Sequence, residues 1–210
     1  MAKQEQERFD IFDETMKPIG TATRKEVHAK GLWHQTFHCW IVTRTGEETR
    51  ILFQMRHPDK DTYPNLLDIS CAGHLMAGER VEDGVRELEE ELGVVASFER
   101  LKSCGVYREE RIIAADTIDR EWYHVFMLAS DQPLASYRLQ EDEVTGLYSI
   151  PLSCVGDLAR GRSDFEIRAA GVEPDESGKL QAVERTFRKR DFVPHEPGYF
   201  ELVLREAQRL

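Results

Sequence analysis

The chain has 210 residues, 28 of them basic and 39 acidic, for a formal net charge of -11. That length suits one domain with appendages, or a domain plus a small second unit, and is enough to bury a proper core. The acidic balance argues against a nucleic-acid partner, because backbone binding needs clustered Lys and Arg, and it leaves room for a small anionic substrate held through a metal.

From the N-terminus, Phe9 to Phe12 and Lys17 to Gly20 read as two strands joined by a turn. Glu26 to Lys30 is about one helical turn ended by Gly31. From His34 onward, Phe37, Cys39 and Ile41 alternate with Thr36, His38, Trp40 and Val42, which is too apolar on both sides for an edge and predicts a central strand buried on two faces. Ile51 to Gln54 is its hairpin partner across the Thr45-Gly46 turn, and Asp59 to Asn65 is a polar loop. A strand from Leu67 to His74 leads into a helix from about Glu82 to Leu92.

Ser97 to Tyr107 and Glu121 to Ala129 read as two strands joined through the charged segment Arg108 to Arg120. Gly146 to Ser149 is a short strand, and Pro151 to Arg160 opens a helix. After Gly161 the alternation of Phe165, Ile167 and Ala169, the turn cluster Glu173 to Gly178, and Leu180 to Phe187 predict an appended hairpin. Phe200, Val203, Leu204 and Ala207 then recur at helical spacing and predict a docked C-terminal helix with nothing catalytic in it.

No apolar run approaches the roughly 20 residues that span a bilayer, and Tyr123 to Ala129 is only strand-sized. The first residues, Met1 to Arg8, lack the apolar core of a secretory signal, and Cys39, Cys71, Cys104 and Cys154 show no CxxC spacing. These features predict a soluble cytoplasmic protein with reduced thiols and no membrane partner.

The chemistry concentrates in the helix before Gly93. Glu87, Glu90 and Glu91 are spaced i, i+3, i+4 and share one face, while Val81, Val85, Leu88 and Leu92 share the opposite, apolar one. A solvated surface helix held by Arg86 is the ordinary reading of such a run. An oxygen-rich carboxylate cluster also suits a hard divalent cation, Mg2+ above all, bridging carboxylates to substrate phosphates.

The surroundings favour the second reading. Gly73-x5-Glu79, followed by Arg86-Glu87-Leu88-x-Glu90-Glu91-x-Gly93-Val94, resembles the Nudix box, Gly-x5-Glu-x7-Arg-Glu-U-x-Glu-Glu-x-Gly-U with U apolar. Six residues separate Glu79 from Arg86 where the family has seven. Placing the missing residue at the helix start keeps Glu87, Glu90 and Glu91 in phase and leaves the register of Glu79 open.

The resemblance implies an α/β (α+β) Nudix-type sandwich, a mixed sheet between helices. Residues 1–160 would form the Nudix domain, and residues 161–210 a hairpin and helix packed on it. It implies a hydrolase that cleaves a diphosphate linkage in a small nucleoside-, coenzyme- or prenyl-diphosphate substrate. Mg2+, or Mn2+, would sit on Glu87, Glu90, Glu91 and the Gly73 carbonyl, with Glu90 or Glu91, or an outside acid such as Glu141 or Glu143, accepting the proton of water. Arg86 would orient Glu87. Gly73 and Gly78 are read as conformational glycines. A homodimer is implied by the resemblance alone.

Further segments resemble the Nudix branch of isopentenyl-diphosphate isomerase: Glu26-Val27-His28, Leu32-Trp33-His34, His38-Cys39-Trp40, Asp59-Lys60-Asp61, Tyr63-Pro64, Asp68-Ile69-Ser70, Ala72-Gly73-His74 and Gln140 to Val144. That branch holds a divalent metal on three histidines and two acids, which fall on His28, His34, His74, Asp119 and Glu121, with Asp119 shortening one arm. The other reading of these histidines is turn capping or satisfying buried backbone. The isomerase also places a reactive Cys immediately before Gly-His, and this chain has Ala72 there. Cys71 precedes it and, by strand alternation, faces the other way, as a small buried hydrophobe.

Hydrolysis is therefore favoured over isomerisation, and a non-catalytic ligand-sensing module is the third class. Trp33, Trp40 and Tyr63 are candidates for stacking on substrate, with Trp40 the better fit to core packing.

Overall fold

The computed structural model describes residues 7–46, 48–114 and 117–210; residues 1–6, the larger part of the stretch expected to lack a secretory signal, lie outside the described residues. Strands β1 (Arg8–Phe12) and β2 (Pro18–Thr23) form a separate antiparallel ribbon. Thr23 then starts α1 (Arg24–Lys30), because its side chain accepts from the Glu26 amide while the Glu26 carboxylate accepts from the Thr23 amide; Gly31, at φ 60, ends it.

The central strand β3 (His34–Thr45) pairs with β4 (Glu48–Arg56) only near their turn, from Val42 opposite Ile51 to Thr45 opposite Glu48. Further along, the two strands part and residues 67–74 wedge between them. This corrects the single strand expected there. β5 (Leu67–Asp68) pairs with β4, β6 (Cys71–His74) pairs with β3, and the break falls at Ile69-Ser70. Ser70 spans the fork: its Oγ accepts from the Ile41 amide at 2.8 Å and donates to the Leu52 carbonyl. A buried hydroxyl thus satisfies two backbone groups that the parting strands would orphan.

The helix expected from Glu82 begins differently. Val81–Val85 is a 3-10 turn, and only then does α2 (Arg86–Leu92) follow, ended by Gly93 at φ 67. A 3-10 turn climbs further per residue than an α-helix, so it spans the approach with one residue fewer than the family's box. Gly84 permits this, since a Cβ there would lie 2.6 Å from Phe37.

The charged segment Arg108 to Arg120 is not a connector. β7 (Lys102–Ala114) and β8 (Thr117–Ala129) form one long hairpin, in which Glu110 faces Arg120 with an ion pair of 2.8 Å and Arg111 faces Asp119. Opposite charges across an antiparallel pair support strand structure. The chain closes with β9 (Val144–Pro151), α3 (Leu152–Ala159), the hairpin of β10 (Glu166–Pro174) and β11 (Leu180–Arg188), and α4 (Pro197–Ala207).

Among the described residues the main sheet runs β11-β10-β9-β4-β3-β8-β7, with β3 and β8 parallel and the other neighbours antiparallel. The hairpin is continuous with the sheet through Gly171 and Val172 opposite Tyr148 and Leu147. Phe37, Cys39 and Ile41 pack with Leu88 and Leu92 of α2 on one face, while Trp40 and Val42 pack with α3 and α4 on the other. β3 is buried on both sides, as its composition predicts.

Candidate functional site

Two polar centres meet at β6, whose successive side chains point to opposite faces. At the first, Gly73 lies against Glu87 so closely that a Cβ would fall 2.1 Å from the Glu87 Cδ and Oε1. This glycine is required for close approach and not for positive φ; Gly78, at φ 85, is the conformational one. Arg86 organises the acids: Nε and Nη2 donate to the two oxygens of Glu79 at 2.9 and 3.1 Å, Nη1 to Glu87 at 2.5 Å and Glu90 at 3.1 Å, and Nη2 to the His74 carbonyl at 3.2 Å. Glu79 also accepts from the Met76 amide at 2.8 Å, so the shortened stretch keeps it at the centre.

Glu91 is buried, and its Oε2 accepts from the Ala72 amide at 3.2 Å and Gln54 at 3.4 Å. Burial and the charge of Glu91 push the Glu87 carboxyl up to about 8, and burial also raises Glu91, against the lowering field of Lys60. Glu90 is the solvent-facing member, its side chain 54% exposed. Among the described residues, the ligand atoms of Glu87, Glu90 and Glu91 do not all gather within 4.8 Å of one another; Arg86 holds Glu87 and Glu90, and the Ala72 amide holds Glu91. Of the outside acids, Glu143 pairs with Lys60, whose charge reaches Glu91. Glu141 instead lies by Gly178 in the β10–β11 turn.

At the second centre, His28, His34 and His74 bring ligand atoms within 4.8 Å of one another, as do His34, Asp119 and Glu121. His34 Nε2 and His74 Nε2 each lie 3.3 Å from Glu121 Oε1, and His28 Nε2 is 3.7 Å from Asp119 Oδ1. Phe9 of the N-terminal ribbon stacks on His74 with ring centroids 4.6 Å apart, and His34 stacks on His74 at 5.2 Å. His34 Nε2, His74 Nε2 and Asp119 Oδ1 are buried without a hydrogen-bond partner, which is how ligand atoms facing a cation site behave.

The outward nitrogens differ. His28 Nδ1 faces the Arg24 carbonyl at 2.8 Å and His34 Nδ1 the Leu32 carbonyl at 3.0 Å, contacts that place the proton on Nδ1 and free Nε2 as a lone pair. His74 Nδ1 faces the Arg24 guanidinium at 3.3 Å and accepts from it. Burial and Arg24 hold His74 well below the usual histidine range, and burial pushes Asp119 up to about 7 with Glu121 adding to it. Burial opposes ionisation of Glu121, yet the His34 and His74 rings facing it at 3.3 Å keep it well below the usual range.

Ala72 shares a register position with His38, whereas Cys71 faces α2 among Phe37, Leu88 and Leu92, fully buried. Burial and Glu91 raise its thiol well above the ordinary value. Trp40 is core, and Trp33 is enclosed between Trp122 and Arg108.

A family model for the NUDIX domain matches residues 33–170. The chain belongs to the Nudix family. It is 45% identical to a Nudix hydrolase of Clostridium acetobutylicum over 201 residues, 96% of this chain and 97% of that one. It is 30% identical over 118 residues to an isopentenyl-diphosphate delta-isomerase of Photorhabdus laumondii, covering 56% of this chain and 63% of the isomerase. A solved Deinococcus radiodurans structure shares the fold with a TM-score of 0.56 at 19% identity, over 74% of this chain and 90% of that one. As a Nudix hydrolase the protein acts on pyrophosphate bonds, in a family that generally uses divalent metal ions. No helix among the described residues is long and apolar enough to cross a membrane.

Three cations beside these centres, Arg24, Arg56 and Arg111, carried no signal in the sequence, and Lys60 stood in a segment of resemblance with no role assigned to it. Each is an unremarkable Lys or Arg in its own segment, and only the fold brings it to the acids.

Proposed function

We propose that this Nudix hydrolase cleaves a diphosphate linkage in a small nucleoside-, coenzyme- or prenyl-diphosphate molecule. Its Mg2+ or Mn2+ would be held by Glu87, Glu90, Glu91 and the Gly73 carbonyl. The observation that carries the reading is the Glu87–Glu91 pair: two adjacent buried carboxylates, pressed against a glycine backbone, that resist joint ionisation until a cation arrives. Bound metal would supply an acidified water and neutralise charge on phosphorus.

The chain's own residues do the rest. Arg86 fixes Glu87 and Glu90 while Glu79 fixes Arg86. Arg24, Arg56 and Lys60 offer positive charge to phosphate oxygens. Glu90, exposed and tied by a single contact to Arg86, is the acid placed to take a proton from water, with Glu143, paired to Lys60, as the second candidate. Residues 161–210 are part of the same domain in this reading, and a small-molecule substrate, a cytoplasmic setting and a homodimer complete it.

One observation favours isomerase-like chemistry: His28, His34, His74, Asp119 and Glu121 do assemble. Against it, position 72 offers a methyl group where that chemistry needs an acid, and Cys71 faces the opposite side of the sheet. A screen of nucleoside, sugar, coenzyme and prenyl diphosphates with Mg2+ and Mn2+ tests the proposal, with Glu87→Gln and Glu90→Gln as controls. Equal turnover by parent and both variants on every positive compound would remove the box from the mechanism. Deuterium exchange into isopentenyl diphosphate without phosphate release would select the isomerase.

A further inference from the structure

His195, on the stretch between β11 and α4, is buried, and both of its ring nitrogens face carboxylates. Nε2 is 2.8 Å from Asp68 Oδ1 and Nδ1 is 3.5 Å from Glu109 Oε2. Each carboxylate reaches onward to an arginine. Asp68 Oδ2 accepts from Arg56 Nη1 at 3.0 Å, and Arg56 Nε and Nη2 donate to the Thr62 carbonyl at 3.0 and 2.8 Å. Glu109 Oε2 accepts from Tyr123 at 2.5 Å and lies 3.4 Å from Arg111 Nε, while Arg111 Nη2 donates to Tyr123 at 3.1 Å. The Arg111 guanidinium then covers the Tyr63 ring, 5.3 Å from its centroid.

Both branches end on one loop, residues 57–65 between β4 and β5. Tyr63 and Asn65 hold left-handed backbone at φ 50 and φ 59, which Asn adopts readily but Tyr keeps only where its surroundings impose it. The same loop carries Lys60, which pairs with Glu143 beside the acid centre.

We propose that His195 is a positioning residue for the 57–65 loop, holding Asp68 and Glu109 so that Arg56 and Arg111 grip Thr62 and Tyr63. The C-terminal segment is then a working part of the site. Both His195 nitrogens face carboxylates and the side chain is only 3% exposed, so it does not serve as a general base. The groups facing it are Asp68 from β5, Glu109 and Arg111 from β7, Tyr123 from β8, His38 from β3 and Tyr199 from α4. Burial resists charging the ring, but hydrogen bonds to the two carboxylates outweigh it and raise its pKa, which favours the imidazolium between two anions. That the loop then presents Lys60 to substrate rests on the hydrolase reading; the positioning itself does not.

Hydrogen exchange on the whole protein tests this without turnover. In His195→Gln, amides of residues 57–65 are expected to lose at least tenfold protection while α2 keeps its own. In Arg111→Gln the same loop loosens and residues 197–207 stay protected. Loss confined to residues 189–207 in His195→Gln, with the loop unchanged in both variants, would overturn the proposal. Imidazole nitrogen NMR on the unmodified protein covers the case of a variant that does not fold: His195 should keep both N–H protons to higher pH than a free imidazole, and a ring already neutral at pH 6 would overturn the clasp.

Discussion

Arg86 grips both carboxylate oxygens of Glu79, Nε to Oε1 at 2.9 Å and Nη2 to Oε2 at 3.1 Å, across a stretch one residue shorter than the family's box. The same guanidinium reaches Glu87 and Glu90, so one planar fork sets the position of three acids. Lysine has no fork and cannot reproduce this. Arg86→Lys is expected to lower diphosphate hydrolysis about 10- to 100-fold, the usual effect of losing a group that orients metal ligands. Stability should change by only about 1 kcal/mol, because the pair is partly exposed. Initial rates and urea denaturation of the same preparation separate the two effects.

Gly73 and Gly78 should respond differently to a methyl group. At Gly73 the added Cβ would meet Glu87 at 2.1 Å, so either the carboxylate or the strand must move; Gly73→Ala should cost about 1–3 kcal/mol and weaken Mn2+ binding. At Gly78 nothing lies within 4 Å, and the cost of Gly78→Ala is the positive φ alone, about 1 kcal/mol, with Mn2+ affinity kept. Equal Mn2+ affinity in both variants would show that Glu87 is not held at the metal by Gly73.

The metal-free protein should lose stability as pH rises from 5 to 8. Glu87 keeps its proton to about pH 8 in the fold, while the unfolded chain releases it near the ordinary value of 4.5, so the folded state is progressively disfavoured across that window. His195, also raised, acts in the same direction as pH climbs through its folded pKa. Glu109, at about 2, and Asp68, lower still, stabilise the fold above their ordinary values, and that contribution is lost only in strong acid. Urea midpoints at successive pH values check the slope, which Glu87→Gln should flatten. Mg2+ should reverse it and release protons on binding, measurable by calorimetry in buffers of different ionisation heat.

Local pattern carried much of the fold because it is local: the Gly31 helix stop, the two-sided apolar β3 and the Glu173–Gly178 turn all act within a few residues. What pattern missed depends on partners far along the chain. The strand expected over residues 67–74 breaks because β3 and β4 part and Ser70 fills the fork, and charges at Arg108 to Arg120 read as loop until their cross-strand mates are known. At the site, the box motif marked Glu87, Glu90 and Glu91, and the histidine segments marked the second centre. Arg24 has no such signal, since a single Arg on a polar stretch has no preferred partner until folding supplies one. His195 sits 127 residues from Asp68, a pairing that no spacing rule reaches.

The second centre yields the last prediction, from the direction of its ring nitrogens. His28 and His34 each give Nδ1 to a backbone carbonyl and turn a bare Nε2 inward, as metal ligands do. His74 receives Arg24 at Nδ1, which places its proton on Nε2 facing Glu121, so binding a cation requires that proton to move and the guanidinium to leave. Arg24 therefore opposes the metal both by tautomer and by charge. Arg24→Met should raise Mn2+ or Zn2+ affinity at this centre by about tenfold, roughly 1.4 kcal/mol, and His34→Ala should abolish it. Metal content after equilibrium dialysis, read for the parent and both variants, decides the matter: an Arg24→Met protein that binds no tighter, beside a His34→Ala protein that binds as well as the parent, would leave these histidines as packing groups around Phe9.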